Sequence, residues 1–356
     1  MNKLNLYLML AFAVFAASCN SDDGGNVPII EGDFQNGVFV LNEGGYTYNN
    51  ASVSFISGSG EIQNNIYEAV NGVNLGDVAQ SITFEDDLAF IVVNNSNTVE
   101  VVNRYTFENQ ATIAGELHNP RYMETHNGKG YISNWGDGND TADDFIAVVN
   151  LSNYAIESKI PIAEGPERLV ENDGNLYIAH QGGWDYGNSI SIMDLNTNTL
   201  TGSISVSDVP TGMVEEDGFL FVLCSGKASW TGEETKGAMY KINLSNNQIV
   251  DEFEFPEGVH PTFLQIENDK VYYTIGNDIY RTDVYNIEPS GSPFITTTAD
   301  GLQILYGFNV LNGWLYACDA KDYVSNGELF VYSISGNLES RYPISGIIPN
   351  GVYFND

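Results

Sequence analysis

One spacing recurs along the chain and limits the folds that are open to it. Within residues 165–194, eleven residues separate Pro166 from Tyr177, and the turn signal Asn172-Asp173-Gly174 lies between them. A strand, a tight turn and a second strand rich in β-formers account for this pattern. The same spacing joins five further pairs, which are Ala79 and Phe90, Pro120 and Tyr131, Pro210 and Phe221, Pro261 and Tyr272, and Leu305 and Tyr316.

The distance between successive pairs identifies the repeating unit. Their first residues follow one another at steps of 41, 46, 44, 51 and 44 residues, and a further step of 44 reaches Pro349. A repeat of about 40–50 residues with four strands is typical of a propeller blade. Because the chain runs out shortly after Pro349, we assign the remaining strands of that unit to residues 37–67, at the other end of the chain.

These starts predict an all-β fold, a seven-bladed β-propeller whose first blade is closed by N- and C-terminal strands. Residues 347–354 supply the inner strand of that blade, so the ring has no open sheet edge. A parallel α/β fold is disfavoured because no window shows apolar residues sustained at helical spacing. We expect residues 1–18 to be a signal peptide, residues 19–36 a lipidated tether, and residues 37–356 the propeller.

The first eighteen residues have the composition of an export signal. Lys3 is the only charge before an apolar run over residues 6–17, which is too short to span a bilayer as a mature helix. Small residues directly precede Cys19, which resembles the lipobox of bacterial lipoproteins, where cleavage before the cysteine is followed by its lipidation. An ordinary secretory signal with an incidental cysteine is the alternative.

The next segment predicts where such a protein would reside. Residues 20–33 are polar, glycine-rich and acidic, as expected of a flexible tether. Ser21-Asp22-Asp23 resembles an export signal that sends some lipoproteins to the outer face of the outer membrane. We therefore expect a lipid-anchored protein of the outer membrane that is exposed at the cell surface.

The charge of the chain limits its possible partners, and its cysteine content limits its possible disulfides. The chain has 47 acidic and 13 basic residues and a net charge of −34, so nucleic acid and anionic membrane surfaces are poor partners. Beyond Cys19, only Cys224 and Cys318 remain, and the repeat places them two blades apart. We expect both to be buried free thiols rather than a disulfide.

Propeller geometry indicates where a ligand would bind. The loop that leads into an inner strand and the loop that follows the second strand share one face, around the central opening. The loops after the second strands are long and contain three of the four tryptophans, which favours binding on that face. The residues predicted to bind from these loops are Tyr48, Asn94, Asn134, Trp135, Gln181, Trp184, Tyr186, Trp230 and Tyr323.

The loops that lead into the inner strands add side chains at the mouth of the channel. The candidates there are Arg121, Tyr122, Arg168, His260 and Tyr306. A structural role is the alternative for each of them, since an arginine can pair with a nearby acid such as Glu167 and His260 can cap a strand.

Motifs for catalysis are missing from the sequence. There are four histidines, and no HExxH, GxSxG, Walker or CxxC motif occurs. We predict a binding protein rather than an enzyme, without catalytic residues, cofactor or catalytic metal. The segment of residues 137–144 carries Asp137, Asp140, Asp143 and Asp144 and is a candidate for structural calcium, although it lacks the EF-hand spacing.

Four blocks of sequence resemble the YncE-like propeller proteins, most closely a group of surface lipoproteins that begin as this chain does. The blocks are residues 37–45 (GVFVLNEGG), 50–54 (NASVS), 75–81 (LGDVAQS) and 91–97 (IVVNNSN). Some members, the BtuG-type proteins, sit on TonB-dependent cobalamin transporters and capture cobalamin on the propeller face. The resemblance thus implies cobalamin as the ligand and a TonB-dependent transporter as the partner.

Two other classes of function remain open at this point. Related propellers place a metal at the channel centre, which keeps a calcium-dependent lactonase as one alternative. Asn94, Asn95, Glu167 and Asp319 are the residues that could supply ligands there. A scaffold for protein–protein interaction is the other alternative.

Overall fold

A computed structural model describes residues 33–356, which form seven four-stranded antiparallel sheets. Each sheet is one blade, and the inner strands of neighbouring blades contact one another in a closed ring. The structure therefore confirms the all-β, seven-bladed propeller. The predictions for the signal peptide, for Cys19 and for most of the tether concern residues outside the described range.

The seven inner strands begin at the residues that the repeat predicts. In the order of blades two to seven, followed by blade one, they are Ala79–Glu85, Pro120–His126, Pro166–Asn172, Pro210–Glu216, Pro261–Glu267, Leu305–Leu311 and Pro349–Asn355. The second strands, from blade one to blade seven, are Gly37–Asn42, Leu88–Val93, Lys129–Asn134, Asn175–His180, Phe219–Cys224, Lys270–Ile275 and Trp314–Asp319.

The third and outer strands complete each blade. From blade one to blade seven, the third strands are Ser52–Ser57, Thr98–Asn103, Phe145–Asn150, Ser189–Asp194, Ala238–Asn243, Asp278–Asp283 and Asn326–Ser333. The outer strands are Ile62–Gln63, Asn109–Ile113, Ala155–Pro161, Thr199–Ser205, Gln248–Glu254, Ile295–Thr296 and Leu338–Ile347. The described helices are Ile66–Asn71 and the 3₁₀ turns Ser229–Thr231 and Thr297–Asp300, and none of these is long and apolar enough to cross a membrane.

Burial follows the position of a strand within its blade. The second strand Leu88–Val93 (LAFIVV) is buried along almost its whole length, because blades cover both of its faces. The outer strand Gln248–Glu254 is exposed at nearly every residue. The tight turn between an inner and a second strand explains the recurring sequence signal: Asp173 and Gly174 both adopt positive φ, at 48° and 77°, as hairpin turns of this kind require. Cys224 and Cys318 are buried free thiols, as predicted.

Blade one is built from both ends of the chain, as predicted. Gly37–Asn42 pairs antiparallel with Pro349–Asn355, so that Val38 lies opposite Phe354 and Val40 opposite Val352. The side-chain amide of Asn355 donates hydrogen bonds to the carbonyl oxygens of Phe34 and Arg104, and Arg104 forms an ion pair with Asp356 at 2.9 Å. These contacts join the first described residues to the last strand.

The described chain begins on the face opposite the long loops. Phe34 donates its backbone N–H to the carbonyl of Tyr105 at 3.1 Å. Tyr105 lies in the turn that follows the third strand of blade two, on the face where the tight turns lie. The Phe34 ring packs against Phe55 and Phe107 with centroid distances of 5.4 and 5.8 Å. The start of the propeller is therefore held at that face.

Removing residues 349–356 should open the ring, because Gly37–Asn42 and its neighbours lose the strand that pairs with them. We expect the free energy of unfolding to fall by at least about 4 kcal/mol, since a complete ladder and its buried side chains are lost. Urea unfolding followed by circular dichroism measures this. A chain that lacks only the exposed Asp356 is the control, and equal stability of the two truncated chains would contradict the role of the strand.

Candidate functional site

The loops on one face are tied to the starts of the inner strands by backbone hydrogen bonds. In blade four, Gln181 donates its N–H to the carbonyl of Gly165 at 2.9 Å, and in blade five Ser225 donates to Val209 at 2.8 Å. The residue after the second strand makes the equivalent bond in six of the seven blades. The two sets of loops therefore share a face, as the sequence predicts.

β-bulges aim additional side chains toward the channel. In blade three, Pro120 pairs with Asn134 and Met123 with Ile132, which leaves Arg121 and Tyr122 opposite a single residue. The same shift occurs at the start of the inner strand in blade four, where Glu167 and Arg168 are the two inserted neighbours. A bulge bends its strand and redirects its side chains. It explains how Arg121 and Tyr122, although consecutive, both line the channel.

A cavity of about 250 Å³ occupies the loop end of the channel. Four residues predicted from the sequence, Arg121, Tyr122, Arg168 and Tyr306, lie in its wall. The other residues of the wall, which sequence reasoning missed, are Glu43, Gln80, Phe263, Gln265, Phe308, Asn309, Asn350, Gly351 and Tyr353. Six of these nine lie on the inner strands two to four residues beyond the first position, so alternation along those strands was the signal that could have found them.

Arg121 is neutralised by a buried partner. Its Nε and Nη2 atoms donate to the two carboxylate oxygens of Glu167 at 2.8 and 2.9 Å. Its guanidinium also lies 4.0 Å from the ring centroid of Trp135, whose Nε1 donates to the carbonyl of Pro166. Burial alone would lower the pKa of Arg121, but the Glu167 carboxylate outweighs it and the pKa is raised. This arginine therefore organises the wall and the rim.

Arg168 differs from Arg121 in having no acidic partner among the residues that the structure describes. Within residues 33–356 its guanidinium makes no ion pair or hydrogen bond, and its contact is with the ring of Tyr122, 4.2 Å from the centroid. The Tyr122 hydroxyl accepts a hydrogen bond from the Gln80 amide at 3.3 Å. The positive charge of Arg168 thus remains available in the cavity.

A third polar group joins blades one and seven. Glu43 accepts hydrogen bonds from the Asn350 amide at 3.2 Å and from the Tyr306 hydroxyl at 3.3 Å. Burial raises the pKa of Glu43, while Asn350, Arg121 and Tyr306 act in the opposite direction. Burial and the nearby Glu43 raise the pKa of Tyr306, so its hydroxyl stays protonated. Tyr323, on the rim, meets the Tyr306 ring edge-on at 5.5 Å.

The rim above the cavity is aromatic and open to solvent. Trp184 is 66% exposed and meets Trp135 edge-on at 6.4 Å between ring centroids. Tyr48 and Trp230, at 76% and 82%, stand free of such a ring contact in the described structure. Tyr186 faces Lys227 of the next loop at 5.6 Å. Among the predicted aromatic residues, the structure thus brings Trp135 together with Trp184, and Tyr306 together with Tyr323.

The predicted polar residues take different places. Asn134 is fully buried, donates to the carbonyl of Ile132 and accepts from the N–H of His118, so it supports its loop. Asn94 is half-buried and donates to the carbonyl of Pro120 at 3.1 Å. His260 bonds to the carbonyl of Ser225 and to Glu234. Gln181 is half-buried, and its side chain has no described hydrogen-bond partner.

The side chains considered as metal ligands are engaged by other groups of the protein. Glu167 holds Arg121, and Asp319 accepts backbone N–H bonds from Gln303, Ile304 and Lys321. Asn95 donates to Asp77 at 2.6 Å. From residue 33 onward, no group of three or more His, Cys, Asp or Glu side chains is arranged to hold a metal ion.

The acidic segment at residues 137–144 caps its own loop. Asp143 accepts the backbone N–H of Asp137 at 3.0 Å, and Asp140 accepts that of Ala142 at 3.0 Å. Asp144 is buried and accepts the N–H of Gly165, and burial raises its pKa to about 6. These bonds account for the density of carboxylates there.

Carboxylates lie further along the same inner strands, toward the opposite face. Glu85, Glu124 and Glu171 belong to the inner strands of blades two, three and four. Burial, and then the charges of Glu171 and Glu85, raise the pKa of Glu124 to about 7 against a backbone hydrogen bond from Thr125. The channel therefore carries Arg121 and Arg168 at its loop end, beside Glu43 and Glu167, and further carboxylates toward the opposite face.

Replacing Glu167 would leave Arg121 buried without its counter-ion. We expect Glu167→Gln to lower the free energy of unfolding by about 3–5 kcal/mol. Glu328→Gln is the matched control, because Arg341 also holds Glu328 by two hydrogen bonds but is 42% exposed, against 15% for Arg121. The free energy of unfolding of Glu328→Gln should fall by less than about 1 kcal/mol. Equal losses in urea unfolding at neutral pH would contradict the distinct role of the buried pair.

Several solved structures share the fold. A quinoprotein alcohol dehydrogenase-like protein from Bacteroides thetaiotaomicron matches with a TM-score of 0.64 at 14% identity, over 91% of this chain and 79% of that one. A functionally unknown protein from Desulfotomaculum acetoxidans has a TM-score of 0.63 at 14% identity, over 90% and 100%. Hydrazine synthase from Kuenenia stuttgartiensis has a TM-score of 0.59 at 14% identity, over 77% and 88%.

At such identities the likeness shows the fold alone. None of the curated proteins compared by sequence matches the chain. The narrower resemblance to YncE-like and BtuG-type proteins stays a prediction. A family model described as "Domain of unknown function (DUF5074)" matches residues 36–333, and the chain therefore belongs to that family.

Proposed function

We propose that this propeller is a surface lipoprotein that captures a small-molecule ligand on its loop face. The observation that carries the proposal is the combination of an aromatic rim with a polar cavity in which Arg168 has no ionic partner among residues 33–356. Exposed aromatic side chains around a concavity with a few polar groups are typical of ligand sites. A structural role alone does not explain why Trp184 and Trp230 face solvent on the same loop-rich face.

The size of the cavity limits how a ligand can bind. Its volume of about 250 Å³ is below the roughly 300–1,000 Å³ of pockets that enclose a drug-sized ligand. A larger ligand must therefore lie across the rim and insert only one part into the channel. Trp135 and Trp184 offer the flat apolar contacts for the part that remains outside.

Cobalamin is the ligand that we propose, on the resemblance to BtuG-type proteins and on chemical grounds. A corrin is broad, with an apolar face and amide edges, and its tail carries a phosphate. The rim offers Trp184 and Tyr186 for the face, and for an edge the Gln181 amide, which has no hydrogen-bond partner in the described part of the chain. Arg168 is the group that could meet the phosphate. A TonB-dependent transporter of the outer membrane is the partner proposed to receive the ligand.

Anchorage through Cys19 completes the proposal. Replacing this residue in Cys19→Ser should prevent processing by the lipoprotein pathway or release soluble protein, because one acyl chain or none holds a protein only marginally. Fractionation of cells after a high-salt wash measures the result. A membrane-bound variant would mean that another anchor exists.

Titration of the purified propeller with cobalamin by calorimetry tests capture directly. We expect binding at micromolar concentrations, and Trp184→Ala should weaken it by at least roughly tenfold because a buried aromatic contact is lost. Trp314→Ala is the matched control, since Trp314 is 40% exposed and begins a second strand on the opposite face. Absence of binding heat at micromolar cobalamin would exclude cobalamin as the ligand. Equal effects of the two variants on affinity would exclude the rim as the binding surface.

A further inference from the structure

Arg168 stands apart from the other arginines of the chain. Arg104, Arg121 and Arg341 each pair with a carboxylate, at 2.9, 2.8 and 2.9 Å. Arg281 donates to the carbonyl of Ile334. Only Arg168 has neither an acidic partner nor a hydrogen bond within the described residues, although the chain contains 47 acidic residues. The acids nearest to it, Glu167 and Glu43, are held by other partners.

The surroundings of Arg168 leave its charge uncompensated. Glu167, its neighbour in the chain, is held by both oxygens on Arg121. Glu43 is tied to Asn350 and Tyr306, and burial raises its pKa. A half-buried guanidinium without a counter-ion or hydrogen bonds is costly, so such a group is expected where a partner from outside supplies them.

The rest of the wall has the donors that an anion needs. Gln80, Gln265 and Asn309 contribute amides to the cavity, and Tyr122 holds the guanidinium from one side by its ring. A planar guanidinium binds carboxylate and phosphate oxygens by two parallel hydrogen bonds, which lysine cannot do. The volume of about 250 Å³ admits a small anionic group but not a large ligand.

We propose that the cavity is an anion site, in which Arg168 binds a carboxylate or a phosphate group of the captured molecule. The identity of that molecule rests on the function proposed above, whereas the anion site does not require it to be cobalamin. Arg121 is a positioning residue here, since its guanidinium is already occupied by Glu167 and braces Trp135.

Thermal unfolding in the presence of free anions tests the site without any assumption about the full ligand. Sodium phosphate and sodium acetate should each raise the melting temperature relative to sodium chloride at the same ionic strength, because a ligand that binds only the folded state stabilises it. Arg168→Gln should remove the part of this increase that comes from binding at the site, because the general stabilisation by such salts does not depend on Arg168. Arg168→Lys should keep part of it, which shows that a loss in Arg168→Gln reflects the missing cation and not a damaged fold.

Arg281→Gln is the matched control, because Arg281 also lies over an aromatic ring, 3.8 Å from the Phe294 centroid, but lies outside the cavity wall. It should respond to anions as the unchanged protein does. A full response of Arg168→Gln would overturn the anion site. The relative size of the phosphate and acetate responses shows which of the two groups the site prefers.

Calorimetry with cobalamin and with cobinamide, which lacks the nucleotide tail and its phosphate, separates the two proposals. If the phosphate enters the cavity, Arg168→Gln weakens cobalamin roughly ten- to hundredfold and leaves cobinamide unchanged. An Arg168-dependent response to free anions without any cobalamin binding supports the anion site and removes cobalamin. If the unchanged protein and Arg168→Gln bind cobalamin equally and neither responds to free anions, cobalamin capture is supported and the anion site is overturned.

Discussion

The ladder between Gly37–Asn42 and Pro349–Asn355 is the constraint on which the propeller depends. The inner strands of seven blades form a continuous ring only if the last gap is closed, and here strands from opposite ends of the chain complete the blade that closes it. The candidate site depends on the same ladder. Glu43 follows one of these strands and Asn350 belongs to the other, and their hydrogen bond at 3.2 Å lies in the cavity wall. The site is complete only when the ring is.

Backbone strain is concentrated where the chain turns into the channel. Val78, Val209 and Ile348 directly precede inner strands and adopt positive φ, at 62°, 60° and 55°. β-Branched residues rarely take this conformation, and such strain persists only where the surrounding structure holds it. The hydrogen bonds from the loops supply that hold, since the carbonyls of these same residues accept N–H groups from the residues after the second strands. These hydrogen bonds make the entrance of the channel rigid, which keeps the side chains at the β-bulges in place.

Much of the fold could be predicted from the sequence, because a repeated blade shows its turns and strand starts locally. Pro166, Asn175 and Ser189 begin strands as the repeat predicts. The candidate site was predictable only in part. Asn134 was expected on the rim but is buried, and Arg121 could equally have been open or paired. These outcomes are decided by bulges and by contacts between blades, and no local pattern in the sequence reports them.

The position of Phe34 also defines the face of the propeller from which the preceding residues must extend. The described chain starts on the face opposite the aromatic rim. Under the proposed anchorage through Cys19, the tether would join the propeller on the face opposite the rim. A segment as long as that between Cys19 and Asp33 can span at most about 50 Å. Transfer to a protein embedded in the same membrane would then have to take place within the radius that this length defines.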